Sequence, residues 1–583
     1  MSNQINPVPV RDVLLDLDDK INFAVFRSGQ NISTQRYPAN SQSSSQHVYA
    51  VQVPSTTTVV SRNVVWGSTI TITVTGNVAQ YERLVNFQAL NLLADENTIR
   101  GADCLAPFPL NQLCTNMAVQ INNTTLSLPV NQVLDPLLRA VDKTKFEQWN
   151  GTTPTQLDKY ASYVQALPQV VSSADALAAN AVQFPYLPTF NSPFNPYQQA
   201  NCNNAITSRN SFVIDSITGN SFNEAAEPAV RTVAITFTVR EPLFVSPFLF
   251  GENEGAGLSG ITQINITCQM DALASRALRY VLSATTGSTK SVQSVSYADS
   301  YIECKYLTPK PSDLIPSTII TPLATYTNYQ LPASSVAINE GGTGQLTSNS
   351  IMLNSYPDKV FVWVADSQQY LTNVHSDSYA TITSVQITLN NQSGILSNFD
   401  ITQLFRASVE SGSKQTFDEY SGRQGDSATG ISTCGSVLML NFGDVINIAQ
   451  DYYAPGSLAT AQFQIIVNFT NNTAITMNPQ LNTMMMYSGI LSTSNGSSSA
   501  YTSGVLSKQA VLDAAASPAM NKIHLARYVG SGLHSCLKSI ASSVLPISRK
   551  ALSNVIGDEN IQKGANVLGA LGFGKKGLHS KLF

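Results

Sequence analysis

Charge is scarce in this chain. Asp, Glu, Lys and Arg make up 12% of its 583 residues, about half the usual ~25%. Its polar surface must come from Ser, Thr, Asn and Gln, and such a neutral surface can pack against copies of itself with little charge to desolvate. A net charge of −4 argues against a nucleic-acid glove. Histidine is scarce too: of five, only His47 and His375 lie before residue 514, so histidine catalysis and zinc binding are poorly supplied. The seven cysteines, Cys104, Cys114, Cys202, Cys268, Cys304, Cys434 and Cys536, are odd in number and show no CxxC spacing. They read as free thiols in a reducing compartment rather than a disulfide framework.

Long apolar runs are missing as well. No uncharged apolar stretch approaches the ~18 residues of a membrane span, so no stable membrane insertion is expected. The opening MSNQINPVPVRDVLLDLDDK lacks the basic start and apolar run of a signal peptide. Without such a signal, triplets such as Asn150-Gly151-Thr152 read as accidents of an Asn- and Thr-rich chain. No GxxxxGK[ST], HExxH, GxSxG or CxxC occurs. GFGKKG at Gly572 lacks the spacing and preceding strand of a phosphate loop. Asp16, Asp18 and Asp19 lack the Gly and distal Glu of a calcium loop, and read as a solvated turn. A glycosidase needs two carboxylates facing across a cleft, which no spacing here shows. We therefore assign no catalytic, cofactor-binding or metal residue and expect no enzyme.

What is present is strand. Ile70, Ile72 and Val74 alternate with Thr69, Thr71, Thr73 and Thr75. Val233, Ile235, Phe237 and Val239 share one face of another run, as do Ile264, Ile266 and Cys268, and Phe463, Ile465, Val467 and Phe469. Period-two alternation means sheets buried on one side. KVFVWV, from Lys359 to Val364, is apolar almost throughout and reads as a strand buried on both faces. Gly, Asn, Ser and Pro clusters separate these runs, as in antiparallel sandwiches.

The pattern occurs twice. MAVQINNTTLSLPVNQVLDPLLRAV resembles TSVQITLNNQSGILSNFDITQLFRASV, with Val119-Gln120-Ile121 on Val385-Gln386-Ile387 and Arg139 on Arg406. GLSGITQINITC from Gly257 matches GSLATAQFQIIV from Gly456. The distance between anchors is longer in the first half by a Pro- and Asn-rich stretch, FPYLPTFNSPFNPYQQANCNNA, which reads as part of a surface loop insertion at about 142–225. The chain then divides into an N-terminal arm (1–45), a first sandwich (46–308), a second (309–513) and a tail (514–583). The tail holds nine basic residues against Asp558 and Glu559, a net of +7, which leaves −11 for the rest of a chain of −4. Leu533, Leu537, Ile540 and Val544 give it a helical stripe. It reads as basic, amphipathic and partly helical.

Several segments carry a family resemblance. They are FRSGQNISTQRYPANSQSSSQ with Gly29-Gln30 and Tyr37-Pro38, REPLFVSPFLFGENEGAGLSGITQINI, LTPKPSDLIP and SNSIMLNSYPDKVFVWV. NNQSGILS (Asn390 to Ser397) and YSGILSTSNGSSSAYTSGVLSKQAVLDA complete the set. In this order they resemble the major capsid proteins of virophages and polinton-like viruses. The resemblance implies an all-β double jelly roll, that is, two tandem jelly-roll β-sandwiches. It implies a pseudo-hexameric trimer that tiles an icosahedral shell around a DNA genome, with a separate single-jelly-roll penton protein at the vertices. It also implies a virion protein, assembled inside the infected host cell, whose C-terminal region guides assembly and is removed by a viral cysteine protease. The packaged genome is a further partner for the tail. The other reading is a β-sandwich carbohydrate-binding or carbohydrate-active protein, since sandwiches host those too.

Overall fold

The computed structural model describes most of residues 31–501. Residues 1–30, 86–103, 142–213, 249–256, 272–276, 281–288, 310–317, 368–376, 425–430, 449–454, 502–583 and a few further positions lie outside the description. The tail, most of the loop insertion, His375, Cys202, Cys536, the Asp16–Asp19 turn and GFGKKG all fall there.

The chain folds as a double jelly roll, and both halves use one strand order. The first sheet of the first half runs Asn31–Pro38, Thr289–Thr308, Val65–Val78, Ala229–Pro242, with Ile214–Thr218 at its edge. The second half repeats this as Thr318–Gln330, Pro479–Ser494, Lys359–Asp366, Leu438–Asn441. The opposing sheets run Gln46–Gln52, Gln263–Met270, Cys114–Ile121, Thr124–Leu128 in the first half and Thr343–Thr347, Leu458–Thr470, Thr381–Leu389, Gln392–Ile395 in the second. Asn31–Pro38 pairs along its whole length with Thr289–Thr308 and so belongs to this first sheet.

The sequence repeat is this duplication. Its two matched pieces lie side by side in each half: Val119 opposes Ile266, and Val385 opposes Val467. The Asn-rich turn is built alike as well. Asn122 and Asn390 both take left-handed backbone, at φ 50° and 53°, which Asn tolerates better than most residues. Each side chain then accepts from the facing strand, Asn122 Oδ1 from Thr262 N and Asn390 Oδ1 from Gln462 N, both at 2.9 Å.

Alternation sets the cores. Ile70, Ile72, Val74, Val233, Ile235, Phe237, Val239, Ile264, Ile266 and Cys268 are all buried in the first, and Phe463, Ile465, Val467 and Phe469 in the second. The strand Lys359–Asp366 is buried on both faces, as its composition suggests, and the reason is tertiary. Val360, Val362 and Val364 line the core of the second half. Phe361 and Trp363 point the other way and join the buried cluster of the first half, with Leu323, Val437, Met439, Met484 and Leu491. The two jelly rolls therefore share one apolar contact.

Candidate functional site at the junction of the two halves

Among the described residues no group of three His, Cys, Asp or Glu side chains could hold a metal ion. His47 is a core residue. Its Nδ1 lies 3.3 Å from both Tyr49 Oη and Ser300 Oγ, its ring packs edge-on against Tyr297 at 4.5 Å, and burial lowers its pKa to about 4. Cys114, Cys268, Cys304 and Cys434 are free and buried. Burial pushes the Cys304 and Cys434 thiols up to about 12, which is the environment of inert cysteines. None of the described helices is long and apolar enough to cross a membrane.

The features with a job to do lie where the halves meet. The helix Val130–Leu138 buries Val130, Val133, Leu134, Leu137 and Leu138 on its apolar stripe, and buries Asp135 with them. A carboxylate there needs partners. Arg139 Nη2 sits 3.3 Å away, one turn on, and the Tyr379 hydroxyl of the second half donates to Asp135 Oδ2 at 2.6 Å. Burial raises the Tyr379 pKa, and the charges of Asp135 and Asp377 raise it further, so it stays a donor. Lys414 N then donates to Arg139 O at 2.8 Å.

The rest of the seam is backbone-centred. Ser498 N donates to Asn123 Oδ1 at 2.7 Å, and Ser498 Oγ donates to Ile121 O. Thr493 Oγ1 donates to Ser259 O at 2.7 Å. Gly496 N donates to Gly260 O at 2.9 Å, with both glycines at positive φ. A Cβ on Gly260 would come 3.2 Å from Ser494 N, closer than side chains normally pack. Gln132 on the same helix adds a further link, its Oε1 accepting from Asn328 Nδ2 at 3.4 Å.

The outer face of the first half is different in kind. Thr71 and Thr236 hydroxyls lie 2.9 Å apart and those of Thr69 and Thr238 3.1 Å apart, forming a neutral ladder across two strands. At one end Arg36 and Arg240 both hold Glu303, at 2.7 and 2.8 Å, and Arg36 stacks over Tyr301 at 4.7 Å. Val230 stands 74% exposed on this face.

The strands around this junction are legible in the sequence, but the pairs across it are not. The repeat aligns Arg139 with Arg406, yet Arg139 is buried at the seam and Arg406 is exposed. One signal was available: Asp135 interrupts an apolar stripe and has an arginine four residues on.

Comparison with known proteins bears on the same architecture. Residues 3–307 match the family model described as Sputnik virophage major capsid protein 1st domain, and residues 326–489 match that of the major capsid protein V20 C-terminal domain. The chain is 25% identical to "Putative capsid protein V20" of Sputnik virophage over 594 residues, covering 98% of this chain and 92% of the relative. A cryo-EM structure of the Sputnik virophage superposes with a TM-score of 0.68 at 22% identity, over 89% of this chain and 94% of that one. The crystal structure of the mavirus major capsid protein gives 0.60 at 14% identity, over 83% and 92%. These two structures share the fold described above.

Proposed function

The chain belongs to the Sputnik virophage major capsid protein family, and from that premise we propose that it builds its shell as a trimer whose six jelly rolls form a pseudo-hexamer. It is a major capsid protein, self-assembling in the capsid of the virion; this, and not carbohydrate binding, is the reading its relatives support. The observation that carries the trimer is the duplicated strand order. Two like units fused side by side occupy two corners of a hexagon, and three-fold symmetry supplies the other four. The role is structural, with no turnover.

The finer partners follow from the same reading. A pseudo-hexamer tiles flat or gently curved surface, so a separate single-jelly-roll penton protein closes the five-fold vertices, and the shell encloses a DNA genome. The division of the chain into jelly rolls meeting near residue 309, followed by a tail from about 514, belongs to this proposal. The tail carries +7 against −11 elsewhere, so it faces inward, toward the genome or the inner wall of neighbouring subunits. Its boundary, VLSKQAVLDAAASPAMNK, is rich in small residues and suits cleavage by a viral maturation protease.

Sedimentation velocity on the purified full chain at micromolar concentration tests the trimer. A species of three chains is expected. Monomers alone across that range would overturn it.

A further inference from the structure

Asn122, Asn390 and Asn495 each turn a strand back toward its neighbour with left-handed backbone, at φ 50°, 53° and 43°. The first two are held by their side chains, whose Oδ1 atoms accept from Thr262 N and Gln462 N. Each is followed by a second asparagine. Asn495 differs on both counts. Its side chain is exposed, no described residue hydrogen-bonds to it, and the next residue is Gly496. Asn495 and Gly496 form the whole turn between Pro479–Ser494 and Ser497–Tyr501, with Ser494 paired to Ser497 and Gly496 at φ 87°. Asn-Gly is the sequence that such a tight hairpin favours. It is also the sequence in which backbone most readily attacks a side chain, because glycine has no side chain to shield its nitrogen.

That attack is a cyclisation. The Gly496 nitrogen gives up its proton and bonds to Asn495 Cγ, the Cγ–Nδ2 bond breaks, and ammonia leaves with a proton. Water then opens the five-membered imide at either carbonyl. One product has aspartate at 495. The other carries the main chain through the side-chain carboxyl and is one methylene longer. Water is the only co-reactant.

The nucleophile of this turn is held at the seam. Gly496 N donates to Gly260 O of the first jelly roll at 2.9 Å, and a nitrogen whose hydrogen is held in that bond is a poor nucleophile. The flanks of the turn are fastened to the same half, Thr493 Oγ1 to Ser259 O and Ser498 N to Asn123 Oδ1, both at 2.7 Å. The imide can therefore close only when this corner of the seam opens. The longer main chain no longer fits a two-residue turn, so the register that sets Ser498 against Asn123 is lost.

We propose that Asn495 is a site of spontaneous deamidation gated by the seam, protected while the two jelly rolls are joined at Gly260 and marked irreversibly when they part there. Each opening adds to the mark, so the deamidated fraction records how often this corner has opened. The inference needs the fold alone and not the trimer.

The test is peptide mapping by mass spectrometry of the full chain after incubation in warm, mildly alkaline buffer. It reads a gain of about one dalton at position 495 and keeps that site apart from the other Asn-Gly pair, Asn150-Gly151, which lies outside the described residues. An isoaspartyl methyltransferase reads the longer-chain product. The native chain should react about tenfold or more slowly than the free peptide 491–501, because only its open fraction reacts. Asn123→Ala removes the acceptor of Ser498 N and should raise the rate several-fold. Ile387→Val, a change in the core of the second jelly roll, also lowers stability but should leave the rate at 495 unchanged. A native rate equal to that of the peptide overturns the proposal, as does an Asn123→Ala chain that reacts no faster than the native one. Equal acceleration by both variants would make global unfolding the gate and overturn the role of the seam.

Discussion

The Tyr379 hydroxyl donates to the buried Asp135 carboxylate at 2.6 Å, and that one bond joins residues 244 positions apart in two different jelly rolls. Arg139 completes the group from the same helix. Losing a partner of a buried acceptor costs about 1–3 kcal/mol. Tyr379→Phe should therefore lower the unfolding free energy by roughly that amount. Calorimetry of the native chain should show the two halves melting together, because their apolar contact is shared. In the variant the transition should broaden or split. An unchanged profile would mean that the seam is held by apolar packing alone.

Gly435 supports the same tyrosine from behind. Its φ is +83°, and a Cβ there would overlap the Tyr379 carbonyl oxygen. Backbone cannot move aside as a flexible side chain can. Gly435→Ala should cost more than the ~1 kcal/mol typical of a glycine substitution without a clash. The expected readout is a lower denaturant midpoint together with loss of the cooperative melt between halves. A midpoint equal to that of the native chain would contradict the close approach.

Two buried carboxyl groups set a pH dependence. Glu241 accepts from Leu110 N, Asn111 N and Asn111 Nδ2 at 2.7–2.9 Å, yet burial raises it from 4.5 to about 7. Asp358 accepts from Ser488 N at 2.8 Å, and burial raises it from 3.8 to about 6. Both folded values lie above the unfolded ones. Their contribution is therefore fully present below the unfolded values and is lost as pH rises through the folded ones. Unfolding free energy should fall between pH 5 and about 7.5, by on the order of 1–3 kcal/mol per group. Urea titrations across that range measure it, and Glu241→Gln with Asp358→Asn should flatten the slope. Stability that climbs steadily with pH through the window would contradict the assignment.

The tail yields a different kind of prediction. A chain cut after residue 513 should keep the unfolding profile of the double jelly roll but fail to close shells of normal size. Mass spectrometry of protein from mature particles should find chains that end before Phe583. Intact chains throughout would rule out removal, and normal shells from the cut chain would rule out guidance.

Much of the fold is legible in the sequence because strand faces are local. Ile70, Ile72 and Val74 announce their burial by alternation alone, and the repeated Asn turn announces the duplication. KVFVWV shows that it is covered on both sides, but not that the second cover is the other half of the chain. The junction is harder. Asp135 and Tyr379 meet only after two sandwiches have formed, and no periodicity links them. Arg139 and Arg406 align in the repeat, yet among the described residues Arg139 is buried against the other half and Arg406 is exposed, a difference set by the tandem arrangement rather than by either segment.

If two fused jelly rolls serve as two corners of a pseudo-hexameric building block, electron microscopy of the purified full chain at raised concentration should show particles of three chains with a hexagonal outline, which associate into sheets or shells as concentration rises. Monomeric particles at every concentration would contradict it.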